Sequence, residues 1–214
     1  MRCFILAGGP ITNYEGISPD PGDLVICADG GARHAGALGV VPALVIGDMD
    51  SVDPGLLEEF AARGCRVVRF PRDKDEVDTE LALNAAISAN PDEIIICGAT
   101  GGRLDHTLAN IQLLALPAQR GIRSSITGRR HRVTLVTPDL PYEVVGRGST
   151  FSLLPLTTRV AGVTARGAAW ELNGAEFVIG KPYGVSNRVE ADKVQVSIAE
   201  GMLLVIELLR GAGP

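Results

Sequence analysis

"LVICADGGARHAGALGVVPALVIGDMDS", residues 24–51, contains a complete strand, helix and strand in one stretch. "LVICA" (24–28) is nearly all apolar, as a strand covered on both faces should be. A glycine-containing turn follows, then a helical pattern near 32–38, then a second apolar run, "ALVIG" (43–47). The same order extends both ways. "CFILA" (3–7) precedes it, "RVVRF" (66–70) and "EIIIC" (93–97) follow, and helical patterns lie near 54–63, 77–89 and 104–116. Asp53-Pro54 reads as the N-cap and first residue of its helix. The last helix is expected to bury Leu104, Leu108, Ile111 and Ala115 on one stripe and to stop at Pro117. Strand and helix in alternation predict an α/β domain over residues 1–134, built on a doubly wound, mostly parallel sheet.

Beyond about residue 135 helical stripes vanish and alternating segments separated by turns take over. "TFSLLPL", "RVAGVTA", "AAWEL", "EFVIG", "KVQVSI" and "MLLVIEL" read as strands of an antiparallel β-sandwich over residues 135–214. Asn173-Gly174 is a hairpin signal whose two-residue loop would place Trp170 opposite Phe177. The segment 118–138 joins the halves.

A hydrophobic share of 46% in 214 residues is enough for an ordered core, which excludes a disordered chain. The net charge is −5 and the basic residues are scattered apart from "GRRHR" (128–132), so nucleic acid is not an expected partner. Cys3, Cys27, Cys65 and Cys97 form no CxxC pair and read as buried free thiols. No apolar run approaches a membrane span and the N-terminus has no signal-type segment, so no membrane partner and a cytoplasmic location are expected.

The polar residues gather after the strands of the first half: "GGP" (8–10), "DGG" (29–31), "DMDS" (48–51), "PRDKDEVD" (71–78) and "GATGGRLDH" (98–106). In an open parallel sheet these positions share the carboxyl edge, where such folds bind ligands. The edge would hold Asp29, Asp48, Asp50, Asp73, Asp75, Asp78 and Asp105 against Lys74, Arg72 and Arg103. So many carboxylates need a counter-charge, and hard oxygen donors suit Mg²⁺ shared with substrate phosphates. The glycines of "GATGGR" and the helix start near Leu104 suit an anion, though such a run is also an ordinary turn. Asp75 has a second reading as a helix N-cap, Trp170 as a packed aromatic, and His106 and Asn110 as satisfied polar residues on one helix face.

Four ordered blocks resemble one family: "ADGGARHAGALGVVPALVIGDMDS" (28–51), "FPRDKDEVDTELAL" (70–83), "GATGGRLDHTLANIQLL" (98–114), and "SLLPL" with "GVSN" (184–187). In this order and spacing the chain is similar to the thiamine pyrophosphokinases across nearly its whole length. The resemblance implies a homodimer of an α/β domain and a β-sandwich that makes thiamine diphosphate and AMP from thiamine and ATP. Its site would lie between the α/β domain of one subunit and the sandwich of the other. Asp48, Asp50, Asp75 and Asp78 would hold Mg²⁺, and Asp29, Gly30 and Gly31 would line the phosphate path. Lys74, Arg103, His106 and Asn110 join the nucleotide-facing set, and Asp105 also lies at that helix start. Ser186, Asn187 and Trp170 would meet thiamine. Asp78 or Asp105 would accept the hydroxyl proton, and Asp50→Asn is expected to cut turnover by orders of magnitude. Val77 stands where the family commonly has threonine, and "GAAW" where "GLKW" is usual. Two other readings, a pterin-type acceptor and a non-catalytic sensor of thiamine or nucleotide, are disfavoured by "GVSN" and by the intact acidic set respectively.

Overall fold

The computed structural model describes residues 1–209. They form two compact units, one of residues 1–113 with 126–128, the other of residues 114–125 with 129–209.

In the first unit five strands run parallel: β1 (Arg2–Leu6), β2 (Leu24–Ala28), β3 (Leu44–Gly47), β4 (Arg66–Arg69) and β5 (Glu93–Cys97). Their spatial order is β5-β1-β2-β3-β4. The chain therefore steps outward from β1 to β4, then returns to lay β5 on the other side of β1. The sheet is doubly wound, and its order reverses between β1 and β5. Helices α1 (Ala32–Leu38) and α2 (Pro54–Ala62) cover one face, where Phe4, Leu6, Val25, Cys27 and Val45 meet Ala32, Ala35, Leu57 and Phe60. Helix α3 (Asp78–Ser88) packs on β1, β2 and β3 and buries Leu81, Leu83 and Ala86. Asp53 caps α2 as the sequence predicts, its Oδ1 accepting from the Leu56 N–H at 2.9 Å.

The next helix departs from expectation. α4 spans Leu104–Leu113, and a separate turn, α5 (Ala115–Ala118), contains Pro117. Of the anticipated apolar stripe Leu104 and Leu108 are exposed, 71% and 52%, while Ile111 and Ala115 are half-buried. Asn110 is the buried residue of α4, because its Nδ2 donates to the Ala99 carbonyl at 2.8 Å and turns that side of the helix inward.

Strands β6 (Arg123–Thr127) and β7 (His131–Val136) follow. The second unit then adds β8 (Tyr142–Val145), β9 (Thr150–Pro155), β10 (Arg159–Arg166), β11 (Leu172–Val178), β12 (Asn187–Arg188), β13 (Lys193–Ser197) and β14 (Leu203–Leu208). Within it, β12-β9-β14-β7 and β11-β10-β13-β8 are antiparallel layers. Val136, Phe151, Leu153, Leu203 and Val205 from the first layer share one core with Val144, Val160, Val163, Phe177, Val194 and Val196 from the second. That is the expected sandwich.

The hairpin at Asn173-Gly174 does not form. Both residues lie inside β11, where Gly174 has φ 68°, and Phe177 pairs with Val160 rather than Trp170. β10 is long enough to pair along this whole segment, and the local turn signal is absorbed as a register shift, matched by Gly162 at φ 70° on β10. The β10–β11 connection instead falls at 167–171, which leaves Trp170 outside any strand. All four cysteines are buried free thiols, and burial pushes the Cys3 thiol up to about 12. Among the described residues no helix is long and apolar enough to cross a membrane.

Candidate functional site

The carboxyl ends of β2 and β3 and the start of α3 bring Asp29, Asp48 and Asp78 together, one oxygen of each lying within 4.8 Å of the others. Two residues at this edge adopt left-handed backbone, Asp29 at φ 43° and Met49 at φ 65°. Such conformations cost about 1–2 kcal/mol each and persist where the surroundings hold them, as at binding sites. Gly47 makes the convergence possible: a Cβ there would lie 2.9 Å from Cβ of Asp29 and 3.1 Å from Oδ1 of Asp78. Asp29 is only 8% exposed, and its Oδ1 is buried without a hydrogen-bond partner. An orphaned buried carboxylate oxygen beside two more carboxylates is a strong demand for positive charge, since each pair repels by about 3 kcal/mol at an effective dielectric of ~20. An all-oxygen set of hard donors fits a magnesium-type cation.

Lys74 answers part of that demand. Its Nζ forms an ion pair with Oδ1 of Asp78 at 2.9 Å. The Asp78 contact comes first in raising the Lys74 ammonium above its ordinary value, against the desolvation that would lower it, and the charges of Asp48 and Asp29 add to it.

Other expected ligands lie outside the three-way group. The Asp50 N–H donates to Oδ1 of Asp48 at 3.0 Å, Ser51 Oγ donates to Asp50, and Arg72 stands 3.9 Å from Asp50. Asp75 is exposed, and it caps nothing, because α3 starts at Asp78 with Val77 as its N-cap. The sequence reading gave Asp29 to the phosphate path. Its membership of the carboxylate group follows from β2 and β3 being neighbours, an adjacency that residue spacing does not state.

The glycines divide by role. Gly31 is buried, and a Cβ there would fall 1.9 Å from the Leu6 carbonyl oxygen, so it serves close packing on β1. Gly30 gives its carbonyl to Arg33 Nη1 at 3.0 Å. At the β1–β5 reversal the Gly9 N–H donates to the Gly98 carbonyl at 2.8 Å, and any Cβ on Gly9 would strike that oxygen. Two side chains of α1, both missed in the sequence reading, hold this loop. Arg33 donates to the Gly8 and Gly9 carbonyls, and His34 Nε2 donates to Gly9 at 2.8 Å while its Nδ1 accepts from Tyr14 Oη. The cue was their place one turn after "DGG".

At the start of α4, Arg103 pairs with Asp105 at 2.6 Å, both well exposed. Arg103, and after it the His106 N–H, hold the Asp105 carboxyl down to about 2. His106 is exposed beside them, and Asn110 is committed to Ala99.

In the second unit Ser186 has φ 62° and its N–H donates to Ser152 Oγ at 3.1 Å. Asn187 is buried, and its side chain is occupied by the Trp170 backbone: Oδ1 accepts from the Trp170 N–H at 3.1 Å and Nδ2 donates to the Trp170 carbonyl at 2.8 Å. It thereby presents the indole of Trp170, 61% exposed.

Comparison with known proteins bears on the family of this chain. The family model described as "Thiamin pyrophosphokinase, catalytic domain" matches residues 20–126, and "Thiamin pyrophosphokinase, vitamin B1 binding domain" matches 139–203. A thiamine pyrophosphokinase of Bacillus subtilis is 29% identical over 94% of this chain and 96% of its own length. A crystal structure of thiamine pyrophosphokinase from the same species superposes with a TM-score of 0.87 at 28% identity, covering 99% of this chain and all of that one. The thiamin pyrophosphokinase of Geobacillus thermodenitrificans gives 0.84 at 27% identity, covering 99% of each chain. Two models in the family's order, on a fold shared from end to end, leave one conclusion: the chain belongs to the thiamin pyrophosphokinase family of enzymes.

Proposed function

We propose that the chain transfers the diphosphoryl group of ATP to the hydroxyethyl oxygen of thiamine, giving thiamine diphosphate and AMP. The observation that carries this is the convergence of Asp29, Asp48 and Asp78 on the buried, unpartnered oxygen of Asp29. These three would hold Mg²⁺, with Asp50 and Asp75 assigned outer positions. When bound, Mg²⁺ supplies charge neutralisation for the phosphate oxygens, the chief requirement of such transfers.

The chain's own residues do the positioning. Gly101 and Gly102, both at positive φ ahead of α4, leave backbone open to an anion, and Arg103 and His106 stand exposed beside them. The loop at Gly8–Gly9 is fixed by Arg33 and His34, so the phosphate path keeps its shape. Asp78 or Asp105 would accept the hydroxyl proton, each standing beside a cationic side chain, Lys74 and Arg103 respectively. Trp170, presented by Asn187, and Ser186 form the thiamine contact, in a homodimer whose partner subunit supplies the sandwich residues. The outward Leu104 and Leu108 of α4 support self-association. Residues 1–134 then serve nucleotide and metal, and residues 135–214 serve thiamine.

Asp29→Asn tests the carrying observation. Turnover is expected to fall roughly 100-fold or more with an unchanged far-ultraviolet dichroism spectrum. Near-normal turnover in this variant would overturn the assignment.

A further inference from the structure

Lys74 lies four residues before Asp78 in a non-helical stretch, yet its side chain is only 10% exposed. A lysine beside open solvent ordinarily extends its ammonium into water. This one turns inward, to 2.9 Å from a buried oxygen of Asp78, in a group whose other members are Asp29 and Asp48. Three carboxylates so close repel one another, and one ammonium offsets one of their three formal charges. A net charge of −2 remains on the group, enough to draw a divalent ion.

The same geometry sets a conflict. A magnesium ion bonds carboxylate oxygens at about 2.0–2.1 Å, so an ion on Oδ1 of Asp78 and an ammonium 2.9 Å from that oxygen would be close like charges. The lysine stem is long and freely rotating, and Pro71–Asp73 ahead of it are exposed. We propose that Lys74 is a built-in counter-cation of the carboxylate group, displaced from Asp78 by the incoming divalent metal and then turned to the phosphates of the nucleotide. This rests on reading Asp29, Asp48 and Asp78 as the metal site. Lys74 so used gives ordered loading: it weakens metal binding by the protein alone and strengthens binding of the metal–nucleotide pair.

The test is titration of the full chain with Mn²⁺ alone, read by the electron paramagnetic resonance of free Mn²⁺, and with ATP in the presence of Mn²⁺ without thiamine. Lys74→Met is expected to bind Mn²⁺ alone roughly tenfold or more tightly than the unaltered chain, and ATP correspondingly more weakly. Lys74→Arg, which keeps the charge, stays near the unaltered chain for Mn²⁺. Equal or weaker Mn²⁺ binding by Lys74→Met, while Asp29→Asn and Asp48→Asn lose the ion, overturns the counter-cation role and leaves the metal site standing. Mn²⁺ binding that survives both Asp29→Asn and Asp48→Asn overturns the metal site and this inference with it. Should Lys74→Met not fold, the ¹Hε–¹³Cε resonance of Lys74 in the unaltered chain decides. It is expected to shift as Mg²⁺ alone saturates the protein, and a resonance unmoved at saturation contradicts the displacement.

Discussion

Gly47 ends β3 at φ 150°, and a Cβ at this position would press on Asp29 and Asp78 together. Gly47→Ala is therefore expected to spread the carboxylate group, lowering turnover by roughly tenfold or more and stability by about 1–3 kcal/mol, measured by urea unfolding beside the activity assay. Unchanged values would show that the group does not depend on this close approach. His34 carries a pH dependence. Burial, first among its causes, holds the ring below its ordinary value, despite the Gly9 carbonyl that would raise it, so the fold keeps His34 neutral while the unfolded chain takes up a proton below about pH 6.5. Its contribution to stability is complete above about pH 6.5 and falls as the pH drops through the folded value. His34→Gln is expected to flatten that part of a stability–pH curve, the remaining slope belonging to His131, which burial also lowers. An unaltered slope would contradict this. At this scale Asp48 and Asp78 could be read as neighbours from their places after strands, whereas Asp50 and Asp75 lie outside the group they form with Asp29. The role of Gly47 was not legible, nor was the bonding of Asn187, named above as a thiamine contact, to the Trp170 backbone, since each depends on what touches it in space.

The five parallel strands and the helices at 32–38, 54–63 and 77–89 were legible to within a residue or two, because β1, β2, β3 and β5 leave apolar runs as buried strands do, while β4 at the sheet edge is only half-buried. α4 and β11 were not. An apolar stripe reads the same in sequence whether its first turns are buried or, like Leu104 and Leu108, exposed, and in β11 pairing with β10 overrode a strong local turn signal. The N-terminus of α3 shows what the valine of "KDEVD" costs. Val77 occupies the N-cap with extended backbone, φ −74° and ψ 152°, but offers no side-chain acceptor. A threonine there could accept from the first turn, so Val77→Thr is expected to stabilise the chain by about 0.5–2 kcal/mol, seen as a raised urea midpoint. A midpoint that stays or falls would show that the helix start does not adopt this geometry.

At the scale of the whole molecule the two units carry different chemistry. The first unit offers carboxylates, glycine-lined backbone and a lysine, a set suited to metal and phosphate. The second offers an exposed indole on a polar mount within an all-β scaffold, a set suited to a flat organic cation. The two family models in tandem, a catalytic domain followed by a vitamin B1 binding domain, match that division. The change of periodicity near residue 135 lies beyond the point where the second unit begins, since that unit already takes residues 114–125 and 129–134, and the pairing of "GAAW" with "GVSN" was not legible because the fold brings them together. The most direct measurement is AMP release from ATP by the purified full chain in Mg²⁺, with and without thiamine, with the thiamine product followed by mass. The account predicts AMP that appears only with thiamine and in equal amount to a product heavier by two phosphates; thiamine that binds without any AMP being released would contradict it.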